Sequence, residues 1–241
     1  MSGDEDRPVR KRTRKVPPHE CTVILIDVGA NMKGQMSEQE GPDLELAKHT
    51  TEWIITRKIF TESPDEFTLV LFGSEKTLNP VTDDQNIYFC EEEMQRAKID
   101  WLRLIDKEIK PSKSVYGDFL AALIAGLDYM RDHLGCYPES NITARNILLI
   151  TNLGGSEEDL DEERARAVVN GMKALEISFN VIGPSIANLE AVKEEIMKSG
   201  ETTQTQAKKL SKTSSSLKME IAERILTDIV KQTDGVIYSF T

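Results

Sequence analysis

Asp27, Asn31 and Asn152 are the side chains that the sequence best equips to do chemistry together. Asp27 closes the apolar run Thr22 to Ile26 and is followed at once by the turn residue Gly29. Asn152 follows the run Asn146 to Thr151 and precedes Gly154 and Gly155. Apolar runs with no polar face belong to strands covered on both sides. Such strands deliver their last side chains to the carboxyl edge of a parallel sheet, where open α/β folds place ligands. Oxygens gathered there from several loops suit a hard divalent cation.

Other chemistries lack their parts. The histidines fall at His19 ahead of the first strand, His49 on a predicted helix and His133 near a helix end, none of them at a strand's carboxyl end. No Gly-x-Ser-x-Gly elbow and no Cys/His pair at the sheet edge joins a nucleophile to its base. The turn after the first strand is not Gly-x-Gly-x-x-Gly and has no P-loop lysine and hydroxyl, which disfavours a nucleotide-dependent enzyme. Cys21, Cys90 and Cys136 are widely spaced without a CxxC pair, a pattern that fits a reduced compartment and no thiolate metal site, with Cys21 and Cys90 packing as small hydrophobes. The expectation is a protein without catalysis and without a cofactor.

The elements that must position these groups alternate. Leu44, Ala47, Thr51, Ile54, Ile55 and Ile59 recur at helical spacing behind Pro42, Asp43 and Glu45, which suit a first turn. Phe67 to Gly73 reads as a second buried strand and Ile87 to Cys90 as a short edge strand. The spacing predicts helices over Glu91 to Ile109, through Met94, Ile99, Leu102, Ile105 and Ile109, and over Gly117 to Arg131, through Leu120, Leu123, Leu127 and Met130 widened by Phe119 and Ile124. Ser156 and Asp159 form a capping-box-like start to a helix over Glu157 to Lys173. A strand over Ile177 to Ile182, a short helix over Leu189 to Met197, a helix through Leu217, Ile221, Ile225 and Ile229, and a strand over Gly235 to Phe240 complete the chain. Residues 199–216 are Ser, Thr, Gln and Lys with little to bury, so a mobile loop is expected there. Strands alternating with helices imply an α/β fold: a doubly wound, mostly parallel sheet with helices on both faces, of Rossmann type.

The 241 residues allow one such domain over 21–241, with residues 1–20 as a disordered basic tail. The stretch Arg7 to Lys15 holds six cations and no acid, which favours nuclear targeting over a plain solvated leader. The whole chain has a net charge of −11 and so repels a phosphate backbone. No apolar run approaches bilayer length, and the charged N-terminus is unlike a signal peptide, so the chain is expected to be soluble and intracellular, with no membrane partner.

At the carboxyl edge the chain resembles a von Willebrand factor A-like domain, whose adhesion motif begins Asp-x-Ser-x-Ser after the first strand and adds a threonine from a middle loop and a late aspartate. Asp27 is kept. Gly29 and Asn31 replace the serines, the loop Tyr116 to Asp118 has no threonine, and Asn152 replaces the late aspartate. Most of the oxygens for a magnesium ion are therefore gone, with Asp118 compensating only in part. The resemblance implies a degenerate remnant at Asp27, Asn31 and Asn152 and no metal.

A closer likeness lies in Asp27 to Gly29, Leu46 to Lys48, Asp65 to Gly73, Asn79-Pro80, Asp118 to Ile124 and Asp234 to Phe240. These stretches are similar to the amino-terminal domain of the larger subunit of Ku, the eukaryotic heterodimer that encircles broken DNA ends. The resemblance implies a nuclear, non-catalytic interaction domain acting in double-strand break repair by non-homologous end joining and in telomere maintenance. Its implied partners are the smaller Ku subunit and end-joining factors carrying short basic-hydrophobic peptides. DNA ends would be reached only through the assembled heterodimer and a β-barrel absent from this chain. It also places a peptide groove at Val81, Gln85, Asp118, Ile124 and Leu148, where apolar side chains beside acids suit aliphatic or aromatic anchors flanked by lysine and arginine. The competing readings are a metal-dependent ligand-binding A domain and an A-like scaffold subunit of another intracellular complex.

Overall fold

Strand β1, His19–Asp27, is buried without a break from Val23 to Asp27 because both of its faces are covered. The computed structural model describes residues 17–35, 41–136, 141–155, 161–183, 219, 221–233 and 235–239. Two parallel neighbours flank β1: β2 (Glu66–Phe72), with Ile24 opposite Leu69, and β5 (Ile142–Ile150), with Ile24 opposite Leu148. Beyond β5 lie β6 (Ile177–Gly183) and β7 (Ile237–Ser239), both parallel. Beyond β2 the short β3 (Ile87–Phe89) and β4 (Gln95–Arg96) pair antiparallel with it, giving the order β3-β2-β1-β5-β6-β7 with β4 also on β2. The fold is the expected mostly parallel α/β sheet.

Alternation along β1 assigns its faces. Cys21, Val23 and Leu25 join Leu120, Leu123 and Met130 of α3 (Phe119–Cys136), with α4 (Glu162–Ala174) and the helix α5 (residues 221–232) on the same side. Ile24 and Ile26 join Leu44, Ala47 and Ile55 of α1 (Asp43–Phe60) and Trp101 and Ile105 of α2 (Ile99–Lys107).

Several boundaries differ from expectation. Strand β1 begins at His19, ahead of the expected domain start at Cys21, and β5 begins four residues before Asn146. The predicted helix over Glu91 to Ile109 is a helix only from Ile99 to Lys107. Met94 is buried from a non-helical segment, and Ile99, assigned to the buried stripe, is 61% exposed. The face is carried by Trp101 and Ile105, one turn apart. The Trp101 indole donates to Glu91 Oε1 at 2.8 Å, which ties the segment back without a helix. Helix α4 starts at Glu162, with the Asp161 carboxylate accepting from Glu163 N at 2.7 Å, while Ser156 to Leu160 lie outside the described residues. The basic tail through Val16, the helix over Leu189 to Met197 and the loop at 199–216 also lie outside them.

Candidate functional site

The carboxyl ends of β1 and β5 bring Asp27, Asn31 and Asn152 together, and internal donors engage the oxygens of Asp27 and Asn152, while Asn31 Oδ1 is buried without a hydrogen-bond partner. Gly29 N donates to Asp27 Oδ1 at 2.8 Å, while Asn31 Nδ2 at 2.8 Å and Thr151 Oγ1 at 2.7 Å donate to Oδ2. Asn31 Nδ2 also donates to Asn152 Oδ1 at 2.7 Å. The amide nitrogen of Asn31 therefore bridges two oxygens that would face a cation in an adhesion site. A carboxamide NH₂ only donates, so it satisfies those oxygens without bringing a charge. Asn152 is filled as well: Gly154 N donates to its Oδ1, and its Nδ2 donates to Asp43 Oδ2 at 2.8 Å and to the Asn31 carbonyl at 3.1 Å. Burial pushes the Asp27 carboxyl up from its ordinary value, and the donors Thr151, Gly29 and Asn31 oppose that push.

Three loops close on this cluster through glycine. A Cβ at Gly29 would stand 2.4 Å from Asn31 Oδ1 and 3.0 Å from Gly117 N, and one at Gly155 would stand 2.9 Å from Asn31 Oδ1. The Asn31 carboxamide, backed by the Gly117 backbone, occupies the room that serine side chains would need. Gly73, at φ +70°, makes the turn after β2 that brings this loop against Gly29.

The predicted groove is only partly assembled. Asp118 is the N-cap of α3: its Oδ1 accepts from Leu120 N at 2.9 Å and Ala121 N at 3.0 Å, and its Oδ2 accepts from Arg164 of α4 at 3.1 Å. Ile124 and Val81 both lie half-buried against the cluster between α3 and the sheet. Val81 is held by an Asn79 turn, with Asn79 Oδ1 accepting from Val81 N at 3.3 Å and Thr82 N at 3.2 Å. Gln85 is exposed in the same loop and donates to the Asp83 carbonyl. Leu148 does not join them. It points from β5 into the cluster beneath α1 and α2, on the opposite face of the sheet, because its register partner Ile24 faces that way. A separate cleft of about 440 Å³ between α4 and α5 is lined by Glu162, Val169, Arg224 and Ile229 and includes none of the five.

Thr151, Asp43 and Arg164 were not singled out by the sequence. The only signal for Thr151 was its place next to Asn152, Asp43 was read only as a first-turn acid of its helix, and nothing local pointed to Arg164. Burial pushes the thiols of Cys21 and Cys90 up to about 12, with Glu66 and Asp65 adding to it at Cys21 and Glu91 at Cys90, so neither resembles an activated nucleophile.

A profile of the Ku70/Ku80 N-terminal alpha/beta domain matches residues 21–233. X-ray repair cross-complementing protein 5 of Xenopus laevis is 27% identical over 167 residues, covering 68% of this chain and 22% of its own length. ATP-dependent DNA helicase 2 subunit KU80 of Arabidopsis thaliana is 28% identical over 141 residues, 58% of this chain and 19% of that protein. ATP-dependent DNA helicase II subunit 2 of Aspergillus oryzae is 28% identical over 171 residues, with coverages of 68% and 22%. The matched part thus spans about a fifth of the length of these curated relatives.

Proposed function

Because the chain belongs to the Ku70/Ku80 N-terminal alpha/beta domain family, we propose that it is a non-catalytic docking domain of a Ku-type heterodimer acting in the nucleus in DNA repair. In this reading the domain at 21–241 belongs to the larger subunit, pairs with the smaller one, and recruits end-joining and telomere factors. Short basic-hydrophobic peptides dock at Val81, Gln85, Asp118 and Ile124, with Leu148 left to the core. DNA ends are gripped by the assembled heterodimer and not by this domain, consistent with the net charge of −11 on the whole chain.

The observation that carries the non-catalytic, metal-free part is the Asn31 amide nitrogen set between Asp27 Oδ2 and Asn152 Oδ1. Ligand oxygens already engaged by internal donors exchange them for a cation only at the cost of breaking that network. The plant and fungal relatives carry "ATP-dependent" in their names. In this chain the turn from Gly29 to Gly34 continues into Gln35 without the lysine and hydroxyl that cradle phosphates, which supports leaving ATP hydrolysis out of this domain.

Co-purification with the smaller Ku subunit, combined with fluorescence polarisation of a labelled peptide bearing leucine and tryptophan between lysines, tests the reading. Saturable binding of both supports it. Failure of both, with magnesium-dependent heat on calorimetric titration, would replace it with the adhesion-type alternative.

A further inference from the structure

At the amino edge of the sheet, opposite the Asp27 pocket, four metal-ligating side chains from three elements converge. His19 and Cys21 are two apart on β1 and so project from the same face. Glu66 opens β2 and is the direct ladder partner of Cys21. His133 lies near the end of α3, which packs on that face. The donor atoms of His19, Cys21 and Glu66 all lie within 4.8 Å of one another. Glu66 Oε2 is 3.3 Å from His133 Nε2 and 3.9 Å from His19 Nε2, and His133 Nε2 is 3.8 Å from Cys21 Sγ.

We propose that His19, Cys21, Glu66 and His133 form a zinc site that fastens the start of β1 to β2 and to the end of α3. Zinc bonds of about 2.0–2.1 Å to nitrogen, 2.0–2.2 Å to oxygen and 2.3 Å to sulfur, in a tetrahedron, set donors about 3.3–3.6 Å apart. Three of the six donor separations, at 3.3, 3.8 and 3.9 Å, lie within about 0.6 Å of those values, and the others within the His19, Cys21 and Glu66 group are no more than 4.8 Å, so side-chain rotation draws the donors inward on binding. One thiolate, two imidazoles and one carboxylate are a donor set of the softness zinc takes, and too poor in oxygen for magnesium or calcium.

Orientation and access fit as well. His19 Nδ1 lies 3.0 Å from the Pro17 carbonyl oxygen, which turns Nε2 toward Glu66, the arrangement that orients ligating histidines. His19 and Cys21 are buried, whereas the Glu66 side chain keeps 29% of its surface and gives an ion its way in. Zinc would displace the Cys21 thiol proton to solvent and bind the resulting thiolate, with no change of oxidation state. Such a staple joins residues far apart in the chain and stabilises the strand at the centre of the sheet. The site shares no residue with the proposed peptide groove and does not depend on it.

The test uses the untagged 241-residue chain, stripped of metal by chelator and titrated with zinc or cobalt. Cobalt should give tetrahedral d–d absorption and a thiolate charge-transfer band at one equivalent, and excess zinc should raise the melting midpoint by about 5 °C or more. Cys21→Ala should abolish the charge-transfer band, and His133→Gln should weaken zinc at least about tenfold. Cys136→Ala, at an exposed cysteine, should leave both readouts unchanged. Circular dichroism of each metal-free variant confirms that it is folded. Absence of the band and of the melting shift in the parent chain would overturn the proposal. So would affinity that survives in folded Cys21→Ala and His133→Gln, since the ion would then sit elsewhere.

Discussion

Asn152 Nδ2 donates to Asp43 Oδ2 at 2.8 Å, a buried bond that ties the end of β5 to the first turn of α1 across 109 residues of chain. Asn152→Asp, the residue an adhesion motif would have, removes that donor and faces one carboxylate with another. Setting a second buried carboxylate against Asp43 in place of a donor costs about 3 kcal/mol or more. Urea denaturation at neutral pH should show this loss. Millimolar magnesium should not restore it, because the Asn31 amide still stands between the oxygens.

Gly29 and Asn31 are coupled by space. Gly29→Ser puts a Cβ 2.4 Å from Asn31 Oδ1 and should destabilise by about 1–3 kcal/mol. Asn31→Ser relieves that clash, so the double variant should lose at least about 0.5 kcal/mol less than the sum of the two single losses. A double-mutant cycle in urea measures the difference. Strict additivity would mean that the loops adjust independently.

Asp118 caps α3 through two backbone N–H groups and also meets Arg164. Asp118→Ala should cost about 1–2 kcal/mol, whereas Asp118→Asn keeps the cap and, with both partners partly exposed, should cost less than about 1 kcal/mol. Equal losses from the two variants would assign the energy to the ion pair instead.

Asp65 accepts from Lys58 Nζ at 2.6 Å, Ser63 Oγ at 2.5 Å and Glu20 N at 2.8 Å. Burial alone would push its carboxyl up, but the bonds from Lys58, Ser63 and Glu20 outweigh it and hold the carboxyl below its ordinary value. A depressed folded pKa stabilises above the unfolded value, near 3.9, and that contribution is lost as pH falls through the folded value. As pH falls below the unfolded value the parent chain should therefore lose stability more steeply than Asp65→Asn, as read from denaturation midpoints, and parallel curves would rule this out.

Ile124 is half-buried at the margin of the cluster between α3 and the sheet; Ile124→Asp should leave the fold intact and weaken the lysine-flanked peptide at least about tenfold in fluorescence polarisation. Leu148→Ala, on the other face of the sheet, should destabilise the domain while leaving peptide affinity within about twofold. The opposite pattern would move the groove to the face of α1 and α2.

The parts of the fold that sequence made legible are those with a strong local period. Val23 to Ile26 is uniformly apolar because both faces of β1 are covered, and Leu120, Leu123, Leu127 and Met130 repeat at the pitch of α3. What escaped depends on pairing. Alternation separates Leu148 from Ile147 and Leu149, but which of the two sets faces α3 follows only from the register that sets Leu148 beside Ile24. The five-residue gap from Met94 to Ile99 is not a helical spacing, and the structure breaks the helix there. The cluster at the amino edge was hidden for a similar reason. His19-x-Cys21 is a local signal for one strand face, but Glu66 and His133 come from distant elements, and the widely spaced cysteines pointed away from metal.

The close approach of the loops at Gly29, Gly117 and Gly155 also bears on how such a domain changes over evolutionary time. A lineage acquiring an adhesion-type pocket one substitution at a time meets a valley on either route: serine at 29 collides with Asn31, and losing Asn31 first removes the donor shared by the oxygens of Asp27 and Asn152. Each single step therefore costs stability before any ligand oxygen is gained, and only paired changes avoid the loss.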